Sequence, residues 1–156
     1  AEALSGFRSV KRRMECVNPG ADVPVYDDFA HHPTAIRTTL QGARAQLDDD
    51  GKGRLIAVLE PRSNTMKSGV HKETLAQSLA DADLVFVYQG EDVQWSVAQL
   101  IQDCHQPCVV EADLSAFTEA IVESVNANDT IVVMSNGGFG GIHQKLLSQL
   151  TAKFSG

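Results

Sequence analysis

Three short stretches of this sequence concentrate side chains that can bind or transfer charge. The first, Asp27-Asp28-Phe29-Ala30-His31-His32, places two carboxylates and two imidazoles directly ahead of Pro33. A carboxylate there can accept a hydrogen bond from a ribose hydroxyl or hold a magnesium-bound water, and an imidazole can donate to phosphate or orient an incoming group. Pro33 suits the first turn of a helix, whose backbone N–H groups and dipole favour anions. The plainer account has Asp28 capping that helix and a histidine packing on the end of a sheet, and the residues alone leave the two accounts balanced. The second stretch, Glu60-Pro61-Arg62-Ser63-Asn64-Thr65-Met66-Lys67, sets Arg62 and Lys67 around Asn64. That trio can grip a carboxylate with a forked guanidinium and an ammonium, against the alternative of a solvated basic loop. The third, Ser135-Asn136-Gly137-Gly138-Phe139-Gly140-Gly141, permits close backbone approach to a phosphate or to a neighbouring element. It does not match the dinucleotide fingerprint, and neither a P-loop Gly-Lys-Ser/Thr nor a Gly-x-Ser-x-Gly elbow occurs in the sequence.

Each stretch follows a run of strand-forming residues: Val23 to Tyr26, Leu55 to Leu59, and Ile131 to Met134. Further runs at Val10 to Val17, Leu84 to Tyr88 and Cys108 to Val110 read the same way. Between them lie helical spacings. Ile36, Leu40, Ala43 and Leu47 share one face of a helix opened by Pro33, with Asp48-Asp49-Asp50 expected to end it as a solvated loop. Leu75 and Leu79 mark a second helix, and Val93, Val97, Leu100 and Ile101 a third. Leu114, Phe117, Ile121 and Val125 mark a fourth, and Ile142, Leu146, Leu147 and Leu150 the last. Continuously apolar strands need cover on both faces, so the order predicts a mostly parallel three-layer α/β sheet. The turn Asn18-Pro19-Gly20 joins the first two strands with no helix between them, which predicts an antiparallel hairpin at one edge. In such sheets ligands gather beyond the carboxyl ends of the strands, where one ligand can touch all three stretches.

Composition narrows the possible partners. The chain has 156 residues, 43% of them hydrophobic, enough for one domain. Thirteen basic against twenty acidic residues give a net charge of -7, which argues against nucleic-acid binding through a broad basic face. The one basic cluster, Arg8, Lys11, Arg12 and Arg13, reads as a charge-protected edge strand. No apolar run is long enough to span a membrane and no signal peptide is evident, so a cytoplasmic location is expected. Cys16, Cys104 and Cys108 read as reduced thiols, since a zinc site built on Cys104, His105 and Cys108 lacks a second ligand cluster. The start at Ala1 hints at a piece of something longer.

Phe7-Arg8-Ser9-Val10-Lys11-Arg12-Arg13 and Tyr26-Asp27-Asp28-Phe29-Ala30-His31-His32-Pro33-Thr34-Ala35-Ile36 together resemble the opening of the C-terminal domain of a Mur ligase. The stretch from Glu60 to Lys67 and the tail Ser135 to His143 extend the resemblance over essentially the whole chain. It implies a Rossmann-like three-layer, mostly parallel sheet with the edge hairpin, residues 1–9 being a lead from a central domain and 10–156 the C-terminal domain. It implies an ATP-dependent ligase that activates the lactyl carboxylate of UDP-N-acetylmuramate as an acyl phosphate and joins it to L-alanyl-γ-D-glutamyl-meso-diaminopimelate. ATP and Mg2+ would be held mainly by the central domain, and the UDP-sugar by an N-terminal domain, neither lying in this sequence. By the same resemblance Asp28 holds the ATP ribose, with His31 and His32 near the reacting amine or phosphates. The L-alanine-adding ligase has Pro-His-Arg-Tyr-Thr-Arg after the next strand. The different run Pro61 to Lys67 here fits a longer nucleophile contacted by Arg62, Asn64 and Lys67. Competing readings are the alanine-adding ligase itself, a free-standing nucleotide-binding module, and a metal-dependent hydrolase using Asp27, Asp28, His31 and His32.

Overall fold

The computed structural model describes residues 15–17, 23–28, 33–50, 53–60, 76–88, 104–126, 128–135 and 141–155. They form strands β1 (Glu15–Cys16), β2 (Val25–Asp28), β3 (Leu55–Leu59), β4 (Leu84–Tyr88), β5 (Cys108–Glu111) and β6 (Thr130–Met134). The helices are α1 (Pro33–Asp50), α2 (Leu114–Ser124) and α3 (Ile142–Ser155), with one further helical turn at 76–78.

A single sheet runs in the order β1-β2-β6-β3-β4-β5. β1 pairs antiparallel with β2, and every other neighbouring pair is parallel, as the strand runs and the turn at 18–20 predict. What the runs did not disclose is the return of the last strand to the middle. β6 lies between β2 and β3, pairing Val133 with Asp27 on one side and with Val58 on the other. All residues of β3 and β6 are buried, because each strand has paired neighbours on both edges and helices on both faces.

Alternating side chains divide the core in two. Leu55, Ala57, Leu59, Val132 and Met134 meet Ile36, Leu40, Ala43 and Leu47 of α1, the four positions whose spacing marked that helix. Ile56, Val58, Ile131 and Val133 meet Phe117 and Ile121 of α2 and Ile142, Leu146 and Leu150 of α3. Phe117 sets its ring edge-on to Phe86 at 6.3 Å and to Tyr88 at 5.6 Å. The Asp113 side chain caps α2 by accepting from Ala116 N–H. Lys153 donates to the Val122 and Val125 carbonyls, satisfying acceptors at the end of α2 and joining α3 to it.

Two acidic runs differ from the sequence expectation. Asp48, Asp49 and Asp50 form the end of α1 instead of a loop. The helical hydrogen-bond ladder continues through the three aspartates past the last core residue, Leu47, although helix propensity and the helix dipole disfavour carboxylates at this end. Asp27 and Asp28 are the last residues of β2 and not part of a loop, because parallel pairing with Val133 and Met134 holds their backbone extended. The lead 1–9, the basic cluster at 8–13 and the helix expected on Val93 to Ile101 lie outside the described residues.

The entry to β3 is fixed by two carboxylates. Asp129, 3% exposed, accepts hydrogen bonds from the Arg54 backbone and guanidinium and from Asn126 N–H. These bonds to Asp129 raise the Arg54 pKa above its ordinary value. Asp83 accepts from Leu55 N–H at 2.8 Å and from the Arg44 guanidinium. Burial pushes the Asp83 carboxyl upward, yet the Leu55 amide and Arg44 outweigh it and hold the pKa below the ordinary value. A group with a depressed folded-state pKa contributes stability that is present above its unfolded pKa of about 4 and is lost on acidification. The melting temperature should therefore fall more steeply below about pH 4 in the native sequence than in Asp83→Asn, as followed by circular dichroism. Gly53, at φ +84°, approaches so closely that an added Cβ would lie 1.8 Å from the Asn128 carbonyl oxygen. Gly53→Ala should cost at least about 2 kcal/mol, read as a lower urea midpoint with an unchanged slope.

Candidate functional site

The segments that follow β2 and β6 take their helices to opposite faces of the sheet, α1 to one and α3 to the other. Adjacent parallel strands with divergent connections open a crevice at their carboxyl ends, where ligands bind in open α/β sheets. The segments 29–32, 61–75 and 136–140 all leave from this place, since β2, β6 and β3 are adjacent. Two backbone bonds join the three strand ends: Ser135 N–H donates to Asp28 O at 3.2 Å, and Glu60 N–H donates to Met134 O at 3.1 Å.

Two side-chain pairs lie on this rim. Ser135 Oγ donates to Glu60 Oε1 at 2.6 Å, a distance typical of a hydroxyl bound to a carboxylate. Ser135 is fully buried and Glu60 is 8% exposed, so the pair supports the crevice from inside. His143, in the first turn of α3, donates Nε2–H to Asp27 Oδ1 at 3.0 Å. Strand alternation explains the choice of carboxylate. Asp27 follows Val25 onto the face covered by α2 and α3, whereas Asp28 follows Tyr26 toward the α1 face. The two neighbouring aspartates therefore serve different sides of the sheet. Among the described residues no group of three or more His, Cys, Asp or Glu could hold a metal ion, and His31 and His32 lie outside them.

Of the sequence-selected residues, Asp28 stands at the end of β2 and is 4% exposed. His31, His32, Arg62, Asn64 and Lys67 lie outside the described residues. The Glu60–Ser135 and Asp27–His143 pairs had no assigned role in the sequence. Their one local signal is a polar residue closing or following an apolar run, as Glu60 follows LIAVL and Ser135 follows TIVVM.

Fold and rim together define an α/β domain of the doubly wound class, a class in which ligands bind where a crossover such as that of β6 between β2 and β3 opens the strand ends. Comparison narrows this class. The profile of the family described as Mur ligase, glutamate ligase domain, matches residues 12–137. The chain is 49% identical over 98% of its length to the UDP-N-acetylmuramate–L-alanyl-γ-D-glutamyl-meso-2,6-diaminoheptandioate ligase of Escherichia coli K12, of which it covers 33%. It superimposes with a TM-score of 0.77 and 44% identity on a murein peptide ligase from Psychrobacter arcticus, covering 90% of this chain and 30% of that one. A separately crystallised domain from Haemophilus ducreyi matches with a TM-score of 0.74 and 44% identity, covering 88% of this chain and 99% of that domain. The chain belongs to the Mur ligase family, as its C-terminal, glutamate ligase domain. It spans about a third of the length of the curated relatives it matches.

The Asp27–His143 contact predicts a measurable coupling. His143→Ala removes a donor from a mostly buried carboxylate and should cost about 1–3 kcal/mol of stability. In a double-mutant cycle with Asp27→Ala, urea unfolding should return a coupling of at least about 0.5 kcal/mol. Strict additivity would mean that the two side chains do not interact in solution.

Proposed function

We propose that this chain is the closing domain of an ATP-dependent ligase that joins UDP-N-acetylmuramate to L-alanyl-γ-D-glutamyl-meso-diaminopimelate, a peptide released from the cell wall and salvaged in the cytoplasm. The observation that carries the reading is the meeting of three strand ends, β2, β6 and β3, at one crevice, in a chain alike over nearly its whole length to ligases of that name. ATP phosphorylates the lactyl carboxylate, the amino end of the tripeptide attacks the resulting acyl phosphate, and a tetrahedral intermediate expels phosphate. An acyl phosphate is lost to water unless shielded, and a domain that closes over bound nucleotide excludes that water.

Within this reading Asp28 accepts a hydrogen bond from the ribose of ATP at the α1 side of the crevice. His31 and His32 stand toward the phosphates or the incoming amine, and Arg62, Asn64 and Lys67 toward the carboxylates of the tripeptide. Glu60–Ser135 and Asp27–His143 keep the strand ends and the start of α3 in place while the nucleotide binds. Magnesium belongs with the triphosphate in the central domain, and no step here passes through a metal held by this chain. The partners of this domain are thus the N-terminal and central domains of the same ligase, the UDP-sugar and the tripeptide.

A rim alone has few contacts for a nucleotide, so the isolated chain should show no heat of ATP binding at millimolar concentrations. In the full-length ligase, Asp28→Ala should raise the KM for ATP about tenfold or more, the loss expected for one charge-assisted hydrogen bond. The KM for UDP-N-acetylmuramate should stay within about twofold, because uniform binding of that substrate is untouched. An unchanged KM for ATP would reduce Asp28 to a structural residue, and submicromolar ATP binding by the chain alone would favour a free-standing nucleotide-binding module.

A further inference from the structure

Ser135 holds two strand ends at once. Its backbone N–H donates to Asp28 O at 3.2 Å, on the β2 side, and its Oγ donates to Glu60 Oε1 at 2.6 Å, on the β3 side. Met134 pairs with Asp28 in one direction and with Leu59 in the other, so Ser135 stands one residue past the last paired row of all three strands. Glu60 is tied to β6 a second time, by its own N–H to Met134 O at 3.1 Å. The alternation that carries Val58 and Val133 onto the α2 and α3 face carries Glu60 and Ser135 there as well, whereas Asp28 takes the other face. A carboxylate and a hydroxyl in so buried a place are costly unless they bond, and a bond between them is directional where apolar contact is not. Pro61, next in sequence, has no N–H to give the sheet and keeps the residue before it extended. The two bonds from Glu60 to β6 therefore anchor the point from which segment 61–75 departs.

We infer that Ser135 and Glu60 are positioning residues for the tripeptide, an inference that rests on the ligase reading above. Arg62, Asn64 and Lys67 follow Glu60 by two, four and seven residues, so the place and direction in which the chain leaves Glu60 govern where those side chains can reach. Ser135 relates that departure to the nucleotide side, because the residue that holds Glu60 by its hydroxyl holds Asp28 by its main chain. The two links are separable. Removing the hydroxyl releases the Glu60 carboxylate and leaves the N–H bond to Asp28 intact. The carboxylates of the tripeptide then meet displaced donors, and hydrogen bonds weaken steeply with distance and angle, so the loss falls on peptide binding. In this role each residue acts through the segment that follows Glu60.

The test is steady-state kinetics of the full-length ligase, with ATP, UDP-N-acetylmuramate and the tripeptide each varied in turn. In Ser135→Ala the KM for the tripeptide should rise about fivefold or more, while the KM for ATP stays within about twofold because the N–H still holds Asp28. Glu60→Ala should raise the KM for the tripeptide to a similar extent, and the double variant should go no further than either single one, since all three lose the same bond. Glu60→Gln keeps an oxygen acceptor for the Ser135 hydroxyl and should return that KM to within about twofold of native. A merely structural pair would lower kcat through loss of folded enzyme and leave every KM in place, and that result overturns the inference. So does a KM for the tripeptide that moves in Glu60→Ala and not in Ser135→Ala, which would make Glu60 a direct substrate contact. The anchor is read apart from the ligase reading by hydrogen exchange of the purified chain, where the Glu60 amide should exchange about tenfold faster in Ser135→Ala and the Val58 amide should keep its native protection. Unchanged exchange at Glu60 ends the inference whatever the enzyme does. A native ligase that turns over no tripeptide ends the ligase reading and this inference with it, and the amide result still shows whether the anchor exists.

Discussion

The insertion of β6 between β2 and β3 is the constraint on which the rest of this domain depends. A strand with parallel neighbours on both edges, and helices on both faces, is buried in every residue and therefore mostly apolar, as Thr130–Met134 is. The same insertion sends the flanking connections to opposite faces, α1 covering one and α3 the other. A crevice at the carboxyl ends follows from that geometry and requires no special residues to create it. Chemistry is then added by whatever side chains end the strands.

Those strand ends show how polar groups are accommodated at the border of an apolar core. Ser135 and Glu60 satisfy one another across β6 and β3, while Asp27 engages His143 at the start of α3. Asp28 sits one residue further on and, by alternation, on the other side of the sheet. The two aspartates of one motif are separated in purpose by the pleat, one holding the fold together and one standing where the proposed nucleotide enters. The remaining motif residues belong to segments that leave from the same three strand ends. A domain in which three strand ends meet at one rim fits the proposal that it completes a pocket other domains begin, and the chain spans a third of its relatives' length.

Much of the architecture was readable from local pattern. The runs Leu55 to Leu59 and Leu84 to Tyr88 match observed strands in full. The spacing of Ile36, Leu40, Ala43 and Leu47 delivered the buried face of α1. The turn at 18–20 implied the antiparallel hairpin now seen between β1 and β2. Boundaries were less accessible. Asp27 and Asp28 have the composition of a loop, yet hydrogen bonding from β6 keeps them in a strand. The Asp48 to Asp50 run has the composition of a solvated turn, yet it continues α1. In both cases a long-range or helical hydrogen-bond ladder outweighs a weak local preference.

By itself the sequence determined the fold class, the buried faces of α1, α2 and α3, and the family, because periodicity and short motifs are encoded within a few neighbouring residues. Only the tertiary structure decided which strand ends lie side by side, that Glu60 meets Ser135 and Asp27 meets His143, and that Gln106 braces the entry to β5 through the Leu79 and Ala82 carbonyls. Glu60 and Ser135 are 75 residues apart, and Asp27 and His143 are 116 apart. Nothing local selects such partners. They are brought together when the last strand finds the one apolar slot in the sheet that can bury it on every side.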